Sequence, residues 1–162
     1  MFKPTVALCR QLTLGLLKPD LCANPIAVSQ IQKRIREANF EVVETKDLVW
    51  TKSEAEKFYS EHEGKFFFER LVGYMTSGPF QALILSKDNA IKDWRSLIGP
   101  THPVRASINA PDTLRSIYGL TDTRNSFHGS DSDETAKREI EIFFPEFDVE
   151  QWRTKEKKDS SS

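Results

Sequence analysis

Cysteine is nearly absent from this chain. The two present in 162 residues, Cys9 and Cys22, make neither a disulfide framework nor a zinc-ligand spacing. They are the thiols of an intracellular protein kept reduced. Glycine is scarce as well: none of the seven falls in a GxxxxGK[ST] loop or a GxGxxG turn. A glycine-rich backbone cradle is thereby excluded, and any phosphate would be held by side chains. No GxSxG elbow occurs. The segment HEGKF at 62–66 begins like a zinc HExxH site but lacks the second histidine. No apolar run is long enough to span a bilayer. The net charge of −1 shows no excess of one sign, so neither nucleic acid nor a membrane surface is an expected partner. Any anion site must be a local cluster. The first ten residues carry Lys3 and Arg10 and no acid. That pattern is too short to define a targeting leader, and the cytoplasm is the expected compartment with the mitochondrion as the alternative.

What is present reads as one domain over 11–150, with a short N-terminal extension at 1–10 and a polar, disordered tail at 151–162. QLTLGLL (11–17) reads as a strand. Asn24 and Pro25 read as an N-cap and first helical residue, followed by Ala27, Ile31, Ile35 and Ala38 at helical spacing. FEVVETKDLVW (40–50) is β-rich. Ser53 and Glu56 have the spacing of a capping box. Phe68, Leu71, Val72 and Met75 mark a short helix stopped at 77–79, and FQALILS (80–86) reads as a buried strand. A helix beginning at Asp88 presents Ala90, Ile91, Trp94, Leu97 and Ile98. The stretch from Gly99 to Asn125 reads as a long irregular loop with one short helix near 112–118. A last amphipathic helix carries Ala136, Ile140, Phe143 and Phe144. The expected fold is an α+β sandwich, a mainly antiparallel four-stranded sheet in the ferredoxin-like split βαβ arrangement, with helices packed on one side.

The chemistry centres on NSFHGSDS (125–132), which sets His128 beside a glycine and a run of hydroxyl and acidic residues. Ser130, Asp131 and Ser132 are ordinary helix-start residues, and the histidine could simply precede them. Alternatively, a neutral imidazole is a good nucleophile at neutral pH, and Gly129 leaves room for a bulky electrophile. Glu139 lies at the border of the last helix's apolar face. It is either a solvated helix glutamate or a carboxylate turned inward to fix the imidazole's orientation. Lys18, Arg95 and Arg115 fall at a strand end, a helix-face margin and the long loop. Singly each is an ordinary surface cation; together they could clamp phosphate. Tyr59 and Phe67 read as core aromatics unless a binding geometry makes one a platform for a base.

These residues carry a resemblance. NSFHGSDS closely resembles the N-x-x-H-G-S-D-S signature of nucleoside diphosphate kinases. LLKPD (16–20), FFFERLVGYMTSGP (66–79), WRSLIGPT (94–101) and ETAKREIEIFFP (134–145) resemble other blocks of that family in the same order. The resemblance implies ping-pong transfer of a γ-phosphate between nucleoside tri- and diphosphates through a phosphohistidine at His128. It further implies that Lys18 holds a phosphate and that Tyr59 packs near the reacting centre. Phe67 would stack on the base with Leu71 beside it. Arg95, Thr101 and Arg115 would bind phosphates, and Asn125 would reach the sugar. Ser130 would support Glu139, which would orient the imidazole. Magnesium would ride on the nucleotide phosphates. Stacking in place of hydrogen-bond readout would explain the family's indifference to the base.

The chain departs from the common pattern in places. KPDLCANP (18–25) stands where usual members read KPDGVxRG, and RSIYGLTDTRN (115–125) where they carry an RGDF-type run. These features resemble the divergent branch called nucleoside diphosphate kinase 6. They fall in loops that assemble the usual oligomer, so both a homo-oligomer and a partner protein stay open. Two functions follow from different classes: a competent phosphotransferase, or a catalytically weak nucleotide-binding regulator that retains the pocket.

Overall fold

The computed structural model describes residues 10–100, 103–119 and 126–160. Strand β1, Arg10–Leu17, is buried on both faces, with Leu12, Leu14 and Leu16 alternating with Thr13, Gly15 and Leu17. Strand β3, Phe80–Asp88, is buried on both faces in the same way and lies antiparallel to β1, with Leu14 opposite Ile84 and Leu16 opposite Ala82. β2, Glu41–Leu48, pairs with the free side of β3, and β4, Phe127–Gly129, with the free side of β1. The order is β2-β3-β1-β4, with all neighbours antiparallel. β1 and β2 are thus parallel with β3 inserted between them, which is the split βαβ arrangement.

Because the two central strands are apolar on both sides, helices cover both faces rather than the one expected. One face packs under α1 (Pro19–Cys22), α2 (Pro25–Glu37), α5 (Ala90–Ile98) and α7 (Leu114–Tyr118), which bury Leu21, Ile31, Ile35, Trp94 and Leu114 against Leu17, Leu83, Leu85 and Phe127. The other packs under α3 (Lys52–Phe58), α4 (Phe68–Met75) and α8 (Asp133–Phe143), which bury Ala55, Val72, Met75 and Ile140 against Leu14, Leu16 and Ile84.

Several boundaries moved for identifiable reasons. Asn24 caps α2 as expected, accepting from the amides of Ile26 and Ala27. The capping box of α3 is formed by Thr51 and Glu54, not Ser53 and Glu56. The same hydroxyl-x-x-Glu spacing occurs twice there, and the earlier copy starts the helix. α5 begins at Ala90 because Asn89 is left-handed, at φ 54°. The expected loop after Gly99 holds α6, Pro103–Asn109, as well as α7. Proline at the first position of α6 is compatible with a helix start, where no intrahelical N–H bond is lost. The tail from 151 is helical rather than disordered: α9 runs Val149–Ser160. Asp148 accepts the Gln151 amide at its start, and Val149, Phe147 and Trp152 pack on the core. Among the described residues no helix is long and apolar enough to cross a membrane.

Candidate active site

β4 owes its position to three ladder partners, which set Leu16 opposite His128 and Gly15 opposite Gly129. Lys18 follows β1 directly, and its amide donates to the Ser126 carbonyl at 2.9 Å. Ser126 is itself left-handed, at φ 73°. Its hydroxyl donates to Asp20, and the Tyr74 phenol donates to the other oxygen of the same carboxylate. This half-buried network ties α1, α4 and the entry to β4 together. A residue forced into the left-handed region persists only where its surroundings hold it there.

The two facing glycines act through packing. A Cβ on Gly129 would lie 2.7 Å from Cδ1 of Trp94, and one on Gly15 would lie 3.1 Å from the same indole. Trp94, fully buried, lies on this flat floor and donates its Nε1–H to the His128 carbonyl at 2.9 Å. Gly129 is therefore required by the indole behind it: the space a side chain would take is filled by Trp94, while the glycine itself borders the cleft that holds His128.

The imidazole is held on its other side. Nε2 of His128 lies 2.8 Å from Oε2 of Glu139, which is turned into the core and 4% exposed. Ser130 donates to the second carboxylate oxygen at 2.6 Å, and its own oxygen accepts the Leu14 amide. An ionised carboxylate can only accept, so Nε2 carries a proton, and in the neutral tautomer that this selects, Nδ1 is the nitrogen with the free lone pair. Phe58 meets the ring edge-on at 5.9 Å between centroids. The serine is thus not a helix cap; Ser132 caps α8 by accepting the Thr135 amide.

His128 opens into a cleft of about 390 Å³ lined also by Lys18, Tyr59, Phe67, Leu71, Arg95 and Arg115. The three cations come from a strand end, α5 and α7. Lys18 is 5% exposed, and its ammonium is pushed down to about 7, first by burial and then by Arg115, with Asp20 opposing. Burial and then Arg95 lower Arg115 to about 10, which leaves it charged at neutral pH. Arg115 thus depresses Lys18 while Arg95 depresses Arg115, and a row of cations crowded around one space describes a site short of anionic charge. Arg115 also bridges structure: Nη1 and Nη2 donate to the carbonyls of Gly99 and Phe127 at 2.6 and 3.0 Å. Burial, then the Glu139 charge, holds the Tyr59 phenol well above its ordinary range, so it is a neutral O–H.

Of the residues singled out in the sequence, Lys18, Tyr59, Phe67, Leu71, Arg95, Arg115 and His128 line this one cleft, while Ser130 and Glu139 stand behind the histidine. Thr101 and Asn125 lie outside the described residues. Trp94, Phe58, Asp20 and Tyr74 were not foreseen as site residues; each reads as core or turn until the strand register places it beside β4. Also unforeseen were His62, Phe66 and Arg70 on the cleft wall. A larger cleft of about 720 Å³ lies elsewhere, between β2 and α9, without a nucleophile or cationic cluster like this one.

Comparison with known proteins gives the same direction from sequence and from shape. Residues 11–149 match the model of the family described as nucleoside diphosphate kinase. Nucleoside diphosphate kinase 6 of Danio rerio is 53% identical over 146 residues, covering 90% of this chain and 83% of that protein. The human protein of the same name is 48% identical over the same length, covering 90% and 78%. Nucleoside diphosphate kinase of Pasteurella multocida is 45% identical over 137 residues, covering 85% and 96%. Among solved structures, the Aquifex aeolicus nucleoside diphosphate kinase superposes with a TM-score of 0.79 at 36% identity, covering 83% of this chain and 95% of that one. The Halobacterium salinarum enzyme, solved in complex with CDP, gives 0.77 at 33% identity, covering 83% and 87%.

Proposed function

The chain belongs to the nucleoside diphosphate kinase family, and from that premise we propose that it transfers the γ-phosphoryl group of a nucleoside triphosphate, ordinarily ATP, to a nucleoside diphosphate through a phosphohistidine at His128. The observation that carries this reading is the Ser130–Glu139–His128 chain, which makes Nδ1 the nucleophilic nitrogen of the neutral imidazole, in a cleft shared with Lys18, Arg95 and Arg115.

In the first half-reaction Nδ1 attacks the γ-phosphorus. The N–P bond forms as the bond to the bridging oxygen breaks, and the diphosphate departs with that electron pair. Positive charge grows on the imidazole, and Glu139 compensates it at Nε2. Lys18, Arg95 and Arg115 offset the charge of the moving phosphoryl and the leaving diphosphate. In the second half-reaction a terminal oxygen of another diphosphate attacks the same phosphorus and restores the histidine. Tyr59 offers a neutral O–H at the reacting centre, Phe67 and Leu71 receive the base, and Thr101 and Asn125 keep the phosphate and sugar roles that family membership suggests. The described residues include no group of three or more His, Cys, Asp or Glu that could hold a metal. Magnesium would be carried by the nucleotide phosphates, as family membership suggests, and would screen their charge.

Incubation with γ-labelled ATP and magnesium tests the reading. Acid-labile, alkali-stable label is expected on the protein, is chased off by GDP, and is absent from His128→Ala, which still binds nucleotide. An unlabelled wild-type protein overturns it. A second reading, a nucleotide-binding regulator that turns over slowly, is favoured by one observation: both terminal nitrogens of Arg115 are engaged by backbone carbonyls. Tight nucleotide binding without label selects that reading.

A further inference from the structure

Phe66 has no packing role that explains it. It is 83% exposed, the most exposed of the large apolar side chains among the described residues, and it lines the same cleft as His128. Its neighbours there are specific. The Phe66 and Phe67 rings are 5.4 Å apart with their planes at 86°, and the Arg70 guanidinium lies 5.6 Å from the Phe66 centroid. His62 leans on Phe67 at 5.3 Å. Two rings at right angles form a corner. A planar ligand can lie flat against only one of them and must turn its edge to the other.

We infer that Phe66, braced by Arg70, is a specificity-determining residue that favours purine over pyrimidine nucleotides. The inference rests on the proposed function in one respect, that the base lies flat on Phe67. The electropositive edge of such a base then meets Phe66, an edge-to-face contact of the kind aromatic rings prefer. A purine, with its two fused rings, reaches across the corner; a single pyrimidine ring from the same sugar position falls short. Arg70 over Phe66 adds a cation–π contact that holds the exposed ring upright. Covering Phe66 also removes apolar surface from water, which the folded chain by itself leaves uncovered.

Direct binding to the full chain tests this without requiring catalysis. Dissociation constants for ADP, GDP, CDP and UDP are measured by calorimetry on wild type, Phe66→Ala, Phe66→Leu and Phe67→Ala. Phe66→Ala should weaken ADP and GDP by about threefold, the scale of one edge-to-face pair, and leave CDP and UDP nearly unchanged. Phe66→Leu keeps bulk without a π face and should fall between. Phe67→Ala should weaken all four alike. Equal weakening of all bases by Phe66→Ala, or none, overturns the inference. Absence of phosphoenzyme alongside an altered base profile would sink the kinase reading and leave this one standing. Because Phe66 is exposed, loss of fold in the Ala variant is not expected, and circular dichroism checks it.

Discussion

Nucleotide binding should draw a proton from solution, and Lys18 is the reason. Its ammonium sits 5% exposed beside Arg115, and burial pushes it down to about 7. In the ligand-free protein the amine is therefore mostly neutral above that pH. A polyphosphate entering the cleft places several negative charges near it and restores the charged form. If the bound value returns to near 10, uptake is the unprotonated fraction in the free protein: about 0.1 proton at pH 6, 0.5 at pH 7 and 0.9 at pH 8. The sign follows from the depressed value: uptake grows as pH rises through 7, and apparent affinity falls by up to about tenfold per unit above it. The assay is calorimetric titration with ADP at pH 7, 8 and 9, in pairs of buffers with different ionisation enthalpies. At those pH values the nucleotide phosphates are largely ionised and contribute little of their own. Lys18→Met removes the titrating group and supplies the baseline. Uptake at pH 8 below about 0.2 proton, or equal in wild type and Lys18→Met, refutes the reasoning, because the amine would then already be charged in the empty cleft.

Other outcomes follow from the same geometry. Glu139→Gln keeps a carbonyl oxygen for Nε2 but removes the charge; phosphorylation of His128 should slow by about 10–100-fold, the scale of one charged hydrogen bond, with nucleotide affinity nearly intact. Equal losses in rate and affinity on rapid-quench and binding assays would contradict an orienting role. Arg115→Ala should weaken ATP binding and slow transfer together, and should also lower stability by about 2–4 kcal/mol, because the Gly99 and Phe127 carbonyls lose charged donors. Denaturant titration beside binding separates the two effects, and an unchanged unfolding midpoint would contradict the tether. Gly129→Ala would drive a methyl into Trp94; a loss of about 1–3 kcal/mol and a slower phosphorylation are expected, and wild-type values for both would show that the indole is not pinned there.

Much of the local structure is legible in the sequence because it depends on neighbours along the chain. Asn24 followed by Pro25 is a helix start that needs no tertiary help. Ala27, Ile31 and Ile35 bury one face at helical spacing, as their pattern says. The strands at β1 and β3 announce themselves by apolar runs. Where two local patterns compete, as with Thr51 and Ser53, or where a proline masks a helix start, as at Pro103, spacing alone chooses wrongly. The tail misled for a related reason: its charged composition suits disorder, while α9 is anchored by Val149 and Trp152 packing on residues far away in sequence.

The sequence by itself determined which atoms could do the chemistry: one histidine in an unusual octet, a lysine closing a strand, two arginines, and a glutamate at the margin of an apolar helix face. Their family roles came from resemblance and not from periodicity. Only the tertiary structure decided that these groups meet. Lys18 and Arg115 share a cleft because β1 and β4 pair in a register that puts Leu16 opposite His128. Glu139 is turned inward because α8 packs across β1, which also brings Ser130 to its second oxygen. The same register sets Gly15 opposite Gly129 as a floor for Trp94, and the turn before α4 sets Phe66 at right angles to Phe67. Such contacts join residues distant in sequence or fix the angle between adjacent rings. No periodic pattern encodes them, because each is set by how strands register and helices pack, and not by which residues follow one another.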